Sequence, residues 1–552
     1  MYKYLILAIS MCAVNISHTQ AQKVKTTIGK PQGKYPSVFW EITGNGLKKP
    51  SYLFGTMHVS MKLAFNLSDS FYNAMQSVDM VALELNPQNW QDDMMEIDAA
   101  QKDYGKYYLQ QYAGDFLNEH SFQLKYYYEN LEEALTSKPQ QINGLLYRSV
   151  AANQDYEEDT YLDLYIYQTG RKYGKLAGGV EDYKTTQIIL TDAYVASVKE
   201  KNVKTKDTDG ESAFDIQKKI KEAYRKGDLD ALDSLNQFEN NSPAYTELFL
   251  YKRNEIQAAS IDSLLKKLSL FTGVGAAHLP GSRGVIELLR KKGYKLRPIF
   301  MQDRDAAMKE TVDKMVVPVS FHEEGTDDGF IKVQMPGKLY KLNNSFESKN
   351  PLWQYADMEN GSYYMVTRVK TNGVLLGQKP LDVMEKIDSL LYENIPGKIL
   401  SKKEIVTNGY PGFDISNKTR RGDVQRYQII VTPFEIIVFK MSGTGNYVEG
   451  EEATKFFNSI YIKPASKQEW SSFTTNQSGF KIDMPHQADI SCNTIQKDEN
   501  DRWEYEAYDE ATGNGYFVWK KNLYNYNFLE EDSFDVRLIT ESFMASDCIE
   551  KE

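Results

Sequence analysis

Two short stretches fix the architecture more firmly than anything else in the chain: YLFGTMHVS at residues 52–60 and GVGAAHLPG at residues 273–281. The sequence has only six histidines, and two of them, His58 and His278, stand three residues after the glycine that closes an apolar run. Runs this short, rich in β-branched and aromatic residues and ended by glycine, predict buried strands. The glycine permits a tight turn or a close backbone approach, and the histidine then carries an imidazole over the strand end. Repeated across more than two hundred residues, the pattern predicts one α/β domain. Both histidines should lie beyond strand ends, where ligand sites of such folds gather.

The order of elements around each motif agrees. VFWEIT and SYLFG read as strands parted by the turn GNGLKKP; Ser68 is placed to cap a helix with Phe71, Met75 and Val78 on one side, and MVALEL reads as a buried strand. Around the second motif, LFTGVG predicts a strand, RGVIELLRKKG a helix and YKLRPI another strand. Residues between about 90 and 265 carry helical spacing, with tyrosine-rich DYGKYYLQQYAGDFLNEHSFQLKYYYENLEEAL predicting helices that pack amphipathic rings. GRKYGKLAGGVE predicts a helix end and a short strand, and KNVKTKDTDGES an exposed loop.

Beyond residue 315 or so the composition turns to strands, among them RYQIIVTPFEIIVFK and YFVWKKNLY, with short helices in DVMEKIDSLLY and GEEATKFFNSI. GFIKVQMP at Gly329 is echoed by GFKIDMP at Gly479. The expected layout is therefore a leader at 1–21, an α/β (or α+β) domain at 34–305, an α+β accessory domain at 316–464 and a partial second α+β unit at 465–552.

Four further residues join the histidines as candidates. Glu84 ends an apolar strand and Glu181 follows GKLAGGV, so each asks for a cation, a metal or a dense hydrogen-bond network. Arg253 and Asn254 lie in the helix candidate YTELFLYKRNEIQAASIDSLLKKL, where the periodicity puts Asn254 on a face with Leu250, Ala258, Ile261 and Leu265. Asn254 can orient a substrate or a bound water, and Arg253 can neutralise an acid or a developing oxyanion. Separate salt bridges, a helix-packing amide and core histidines are the plainer readings of the same residues.

A formal charge of -11 without a basic tract argues against a nucleic-acid partner. The opening MYKYLILAISMCAVNISHTQA has a Lys3 flank, an apolar run too short to span a membrane, and Thr19 and Ala21 spaced for cleavage after Ala21. Export to a periplasmic or extracellular space is the expectation, with lipidation at Cys12 as the membrane-associated alternative. After cleavage only Cys492 and Cys548 remain, either as a disulfide or as two buried thiols.

Taken together, SVFWEITGNGLKKPSYLFGTMHVS, VDMVALELNP, YLDLYIYQTGRKYGKLAGGVE, YKRNE and FTGVGAAHLPGSRGVIELLRKKGYKLRPI resemble the TraB/GumN family and the wider Tiki-like hydrolases. The resemblance covers roughly residues 36 to 300. It implies a metal-dependent hydrolase scaffold, since Tiki relatives are metal-dependent proteases and other branches are linked to ester hydrolysis. His58 and His278 match the motif histidines, Glu84 and Glu181 the two acids, and Arg253 with Asn254 the RN pair. The wording LAGGVE departs from the LET-like form common in relatives, and there is no HExxH helix. The implied metal ligands are His58, His278 and one or both of Glu84 and Glu181. Zinc, manganese and cobalt remain open. Peptide or protein is the implied substrate, with a noncatalytic envelope-binding or signalling role and an esterase as alternatives. The tail resembles PsbP/Mog1-like modules, implying an accessory or binding module, with the partial second unit expected either to pack against it or to bind an envelope protein.

Overall fold

In the computed structural model the described residues are 33–59, 67–96, 127–136, 142–147, 160–200, 213–236, 242–301, 306–342, 350–371, 378–419, 422–443 and 447–464, with shorter pieces between 469 and 521 and a few isolated positions. The leader, Cys12, Cys548, the loop KNVKTKDTDGES and most of the tyrosine-rich segment lie outside the described residues.

The first unit is built on a six-stranded sheet. Its strands are β1 (Phe39–Gly44), β2 (Ser51–Thr56), β3 (Met80–Leu83), β4 (Leu176–Gly179), β5 (Leu270–Gly275) and β6 (Tyr294–Ile299), in the order β4-β3-β5-β2-β1-β6. β4, β3, β5 and β2 run parallel, while β1 pairs antiparallel with both β2 and β6. A central parallel strand is covered on both faces, so its sequence should be apolar throughout. β5, LFTGVG, is buried at every position. The rings of Phe54, Phe71 and Phe271 pack in mutual contact there, 5.2 to 6.2 Å between centroids. Each such ring removed from water contributes on the order of 1.5–3 kcal/mol.

Helices follow the strands. α1 (Asp69–Ser77) buries Phe71, Tyr72, Ala74 and Met75. Ser68 does hold the extended N-cap conformation before it, but its hydroxyl makes no cap bond; the helix starts through Phe71 N–H donating to the Ser68 carbonyl. α2 (Tyr128–Thr136) leaves the first unit altogether, as described below. α3 (Leu162–Lys172) precedes β4, α4 (Tyr183–Lys199) follows it, and α5 (Arg253–Leu265) and α6 (Val285–Lys291) flank β5 and β6.

The second unit is an antiparallel seven-stranded sheet made of β9 (Tyr340–Leu342), β10 (Leu352–Asp357), β11 (Ser362–Lys370), β12 (Lys398–Thr407), β13 (Tyr410–Lys418), β14 (Val424–Val431) and β15 (Glu435–Gly443). Their order across the sheet is β12-β13-β14-β15-β11-β10-β9. One face carries α7 (Pro380–Asn394) and, packed with it, α2 from the first half of the chain; Leu131 and Leu135 are fully buried among Ile387, Leu391 and the sheet. The other face meets α8 (Glu451–Asn458) and the strand β8 (Ile331–Met335), which pairs with β7 (His322–Gly325).

The echo heard in the sequence is structural. β8 and its counterpart Lys481–Met484 each pair antiparallel with the strand before them, and each ends on a buried methionine, Met335 and Met484. Both are preceded by a glycine at positive φ, 67° at Gly329 and 64° at Gly479, a conformation that side chains disfavour. Cys492 lies on a strand of the last three-stranded sheet. Among the described residues no helix is long and apolar enough to cross a membrane.

The two units interlock. The turn between β10 and β11, residues 357–362, reaches α3: Arg171 Nε donates to Glu359 at 2.8 Å, Tyr167 OH to the same oxygen at 3.3 Å, and Gln168 Nε2 to the Met358 carbonyl at 3.1 Å. Gln91 donates to the Ala356 carbonyl and accepts from its N–H, each at 2.8 Å, and Met358 is buried in the first unit's core.

Candidate functional site

Four adjacent parallel strands deliver four of the candidates to one edge. His58 follows β2 by two residues, Glu84 follows β3 directly, Glu181 follows β4 by two, and His278 lies one 3₁₀ turn beyond β5. Because parallel strands share a direction, their carboxyl ends open on the same side of the sheet.

There the imidazoles face one oxygen. His58 Nε2 is 3.7 Å and His278 Nε2 3.8 Å from Glu84 Oε1. Each ring is held from behind through Nδ1: His58 by Asp163 Oδ2 at 2.9 Å, and His278 by Asn254 Oδ1 at 2.6 Å. The rings differ in access, His58 being 46% exposed and His278 only 6%. Burial pushes the His278 imidazole down to about 4, against the opposing pull of Glu84, so the ring is neutral at physiological pH.

The glycines of the two motifs serve close approach. A Cβ on Gly275 would stand 3.0 Å from Glu84 Oε1 and 3.4 Å from His58 Nε2, so this backbone forms the floor between the rings. A Cβ on Gly55 would press on Leu279 and Ala276 of the second motif, at 2.9 and 3.2 Å. Neither glycine is among those at positive φ; of the two expected uses, the turn is not the one made.

Arg253 ties the acids together. Its Nη2 donates to Glu84 Oε2 at 2.8 Å and its Nε to both oxygens of Glu181 at 3.1 and 3.0 Å. Glu181 also accepts from Gln257 Nε2 at 2.6 Å and Thr186 Oγ1 at 2.9 Å. Burial would raise Glu84, but the two imidazoles, Arg253 and the Gly275 N–H, which donates to Oε1 at 2.6 Å, outweigh it and hold the carboxyl at about 2. Arg253 itself is raised by the two carboxylates against burial.

The expected helical face around Asn254 holds for three of its four apolar members. Ala258, Ile261 and Leu265 are buried beside it, but Leu250 is not. A π-helical turn, Glu247–Lys252, precedes α5 and adds a residue to the repeat, which rotates everything upstream off that face. Arg253 and Asn254 are both buried, at 7% and 1% exposure. Asn254 spends its amide on the fold, with Nδ2 donating to the Arg283 carbonyl at 2.9 Å and Oδ1 holding His278.

All six sequence candidates therefore stand in one connected cluster, with Glu181 joined to the histidines only through Arg253 and Glu84. Asp163 and Gln257 belong to it as well and were not singled out in the sequence. The signal for Asp163 was available: it is a lone acid in the apolar run LDLYIY, the same anomaly that drew attention to Glu84. Among the described residues no group of three or more His, Cys, Asp or Glu is placed so that it could hold a metal ion as it stands, and both Glu84 oxygens accept from protein donors.

No curated protein matches the chain. Among solved structures, cyanobacterial PsbP (CyanoP) from Synechocystis sp. PCC 6803 is weakly similar, at 8% identity and a TM-score of 0.20, covering 26% of this chain and 94% of that one. Residues 38–298, which carry both histidines, both glutamates and the Arg253–Asn254 pair, match the TraB/PrgY/gumN family.

Proposed function

We propose that the first unit is a metal-dependent hydrolase of an exported protein, acting on peptide bonds. The observation that carries the reading is the approach of two imidazole Nε2 atoms to one carboxylate oxygen, with both rings fixed through Nδ1. Two imidazoles and a carboxylate are the donor set of an open catalytic site, and the buried His278 is neutral, as a ligand must be. Two metal–ligand bonds of about 2 Å span about 4 Å end to end. The observed 3.7 and 3.8 Å separations fall within that reach.

His58, His278 and Glu84 would hold the divalent ion, which when bound supplies Lewis acidity toward a carbonyl and a lowered pKa for water. Glu181 is fully engaged by Arg253, Gln257 and Thr186, so its part is to anchor the guanidinium. Arg253 keeps a fixed positive charge beside Glu84, suited to opposing negative charge on a substrate oxygen. His58, the exposed ring, marks the side from which substrate enters.

Turnover of a peptide panel by the mature protein, with zinc, manganese or cobalt added to chelator-stripped samples, tests the proposal. Metal-dependent cleavage lost in folded H58A and H278A supports it; cleavage unchanged in both variants rejects this site.

A further inference from the structure

We propose that Asp163 is a positioning residue for His58: its carboxylate fixes the ring in the Nδ1–H tautomer and so leaves the Nε2 lone pair aimed at the Glu84 side. This deepens the metal-site reading above and rests on it. Asp163 is 5% exposed. Its Oδ1 accepts from Thr56 Oγ1 at 2.7 Å and its Oδ2 meets His58 Nδ1 at 2.9 Å. An ionised carboxylate only accepts hydrogen bonds, so the Nδ1 atom facing it must carry the proton.

The backbone is arranged to keep this contact. Asp163 is in the first turn of α3, and the preceding Leu162 N–H donates to the Val59 carbonyl at 3.1 Å, one residue after His58. Thr56, at the end of β2, supplies the second attachment, and Tyr224 OH donates to the Gly55 carbonyl at 2.9 Å. The loop bearing His58 is thus pinned to the helix bearing Asp163 on both sides of the imidazole.

His278 provides the internal comparison. Asn254 donates through Nδ2 to the Arg283 carbonyl, which leaves Oδ1 as the acceptor for His278 Nδ1 and sets the same tautomer without a charge. Both rings accordingly present an unprotonated Nε2 toward Glu84. One is held by a neutral amide in the interior, the other, more exposed, by a buried carboxylate. Partners of this kind orient ligand imidazoles, and their loss typically lowers metal affinity 10- to 100-fold.

The test uses the full chain labelled with ¹⁵N-histidine and free of metal, with the His58 signals identified by their absence from H58Q. Wild type is expected to show a protonated Nδ1 and a bare Nε2 at His58; a protonated Nε2 in the neutral ring overturns the proposal and needs no further variant to do so. In Asp163→Ala the acceptor for Nδ1–H is gone, and the expected result is a shift of the proton toward Nε2 together with a tenfold or greater loss of zinc affinity. Asp163→Glu is expected to recover the wild-type tautomer pattern. An unchanged His58 tautomer in folded Asp163→Ala overturns the proposal. If wild type binds no zinc, the metal reading fails while the tautomer readout still decides the role of Asp163.

Discussion

His58 and His278, separated by two hundred and twenty residues of sequence, present their Nε2 atoms to the same Glu84 oxygen at 3.7 and 3.8 Å. Neither helix packing nor a salt bridge requires this. Arg253 and the Gly275 N–H already pair Glu84, and the two imidazoles add their own pull on its carboxylate. On the reading proposed above, the two imidazoles and this carboxylate share a point in space as ligands of one ion.

Arg253 should be the residue on which the stability of the cluster depends most. Removing it in Arg253→Met leaves Glu84 and Glu181 buried without their common cation. Loss of one partner of a buried pair costs about 3–5 kcal/mol. Urea unfolding should show a midpoint reduced accordingly at unchanged slope; a loss below about 1 kcal/mol contradicts the assignment of Arg253 as the link between the two acids.

Gly275→Ala is expected to damage the site more than the fold. The added methyl would sit 3.0 Å from Glu84 Oε1 and 3.4 Å from His58 Nε2. Overpacking of this size costs about 1–3 kcal/mol. Activity or metal binding should fall at least tenfold in a protein that still unfolds cooperatively. Wild-type binding in the alanine variant would show that the floor between the rings is not where a ligand sits.

The pattern of what the sequence revealed follows from the range of the forces involved. The strand ends were legible because burial and period are local: LFTGVG and MVAL are buried or nearly so over whole elements, the first closed by glycine and the second by the out-of-place Glu84. Glu84 and Arg253 were legible as charges out of place. Asp163 has the same signature, but it falls inside a helix whose first nine residues are all buried, where no glycine or histidine marks it. The packing of α2 on the second sheet had no local cue, because Leu131 and Leu135 form an ordinary helical stripe that names no partner. The π turn before Arg253 was invisible for the same reason: one inserted residue changes the face and leaves the composition unaltered.

The β10–β11 turn should make stability depend on pH. Burial raises Asp357 to about 6, against bonds from the Glu359 and Asn360 N–H groups and the Asn360 side chain. A carboxyl whose folded value lies above its unfolded value near 4 adds stability below that lower value, and the contribution is lost as pH rises through about 6. The swing amounts to about 2–3 kcal/mol. Asp357→Asn should flatten the stability profile between pH 4 and 7, as read by thermal unfolding across that range. An identical slope in both proteins would mean that Asp357 is ionised in the folded state throughout.

Neither unit should fold well without the other. A fragment of residues 315–552 lacks Leu131 and Leu135, which are fully buried against α7 and the second sheet. A fragment of residues 33–305 uncovers the socket that takes Met358 and leaves the Glu359 partners Tyr167 and Arg171 exposed. Each fragment is expected to bind a hydrophobic dye and to lack a sharp thermal transition, whereas the whole chain unfolds with its first two units coupled. Independent, cooperative melting of both fragments at the temperature of the intact protein would contradict the interlock.

X-ray absorption on the protein loaded with one equivalent of zinc interrogates the histidine pair itself. The predicted spectrum has a shell of nitrogen and oxygen at about 2.0–2.1 Å with the outer scattering of two imidazoles, reduced to one in H58A and in H278A. A spectrum with no imidazole contribution, or one that both variants leave unaltered, would contradict the site.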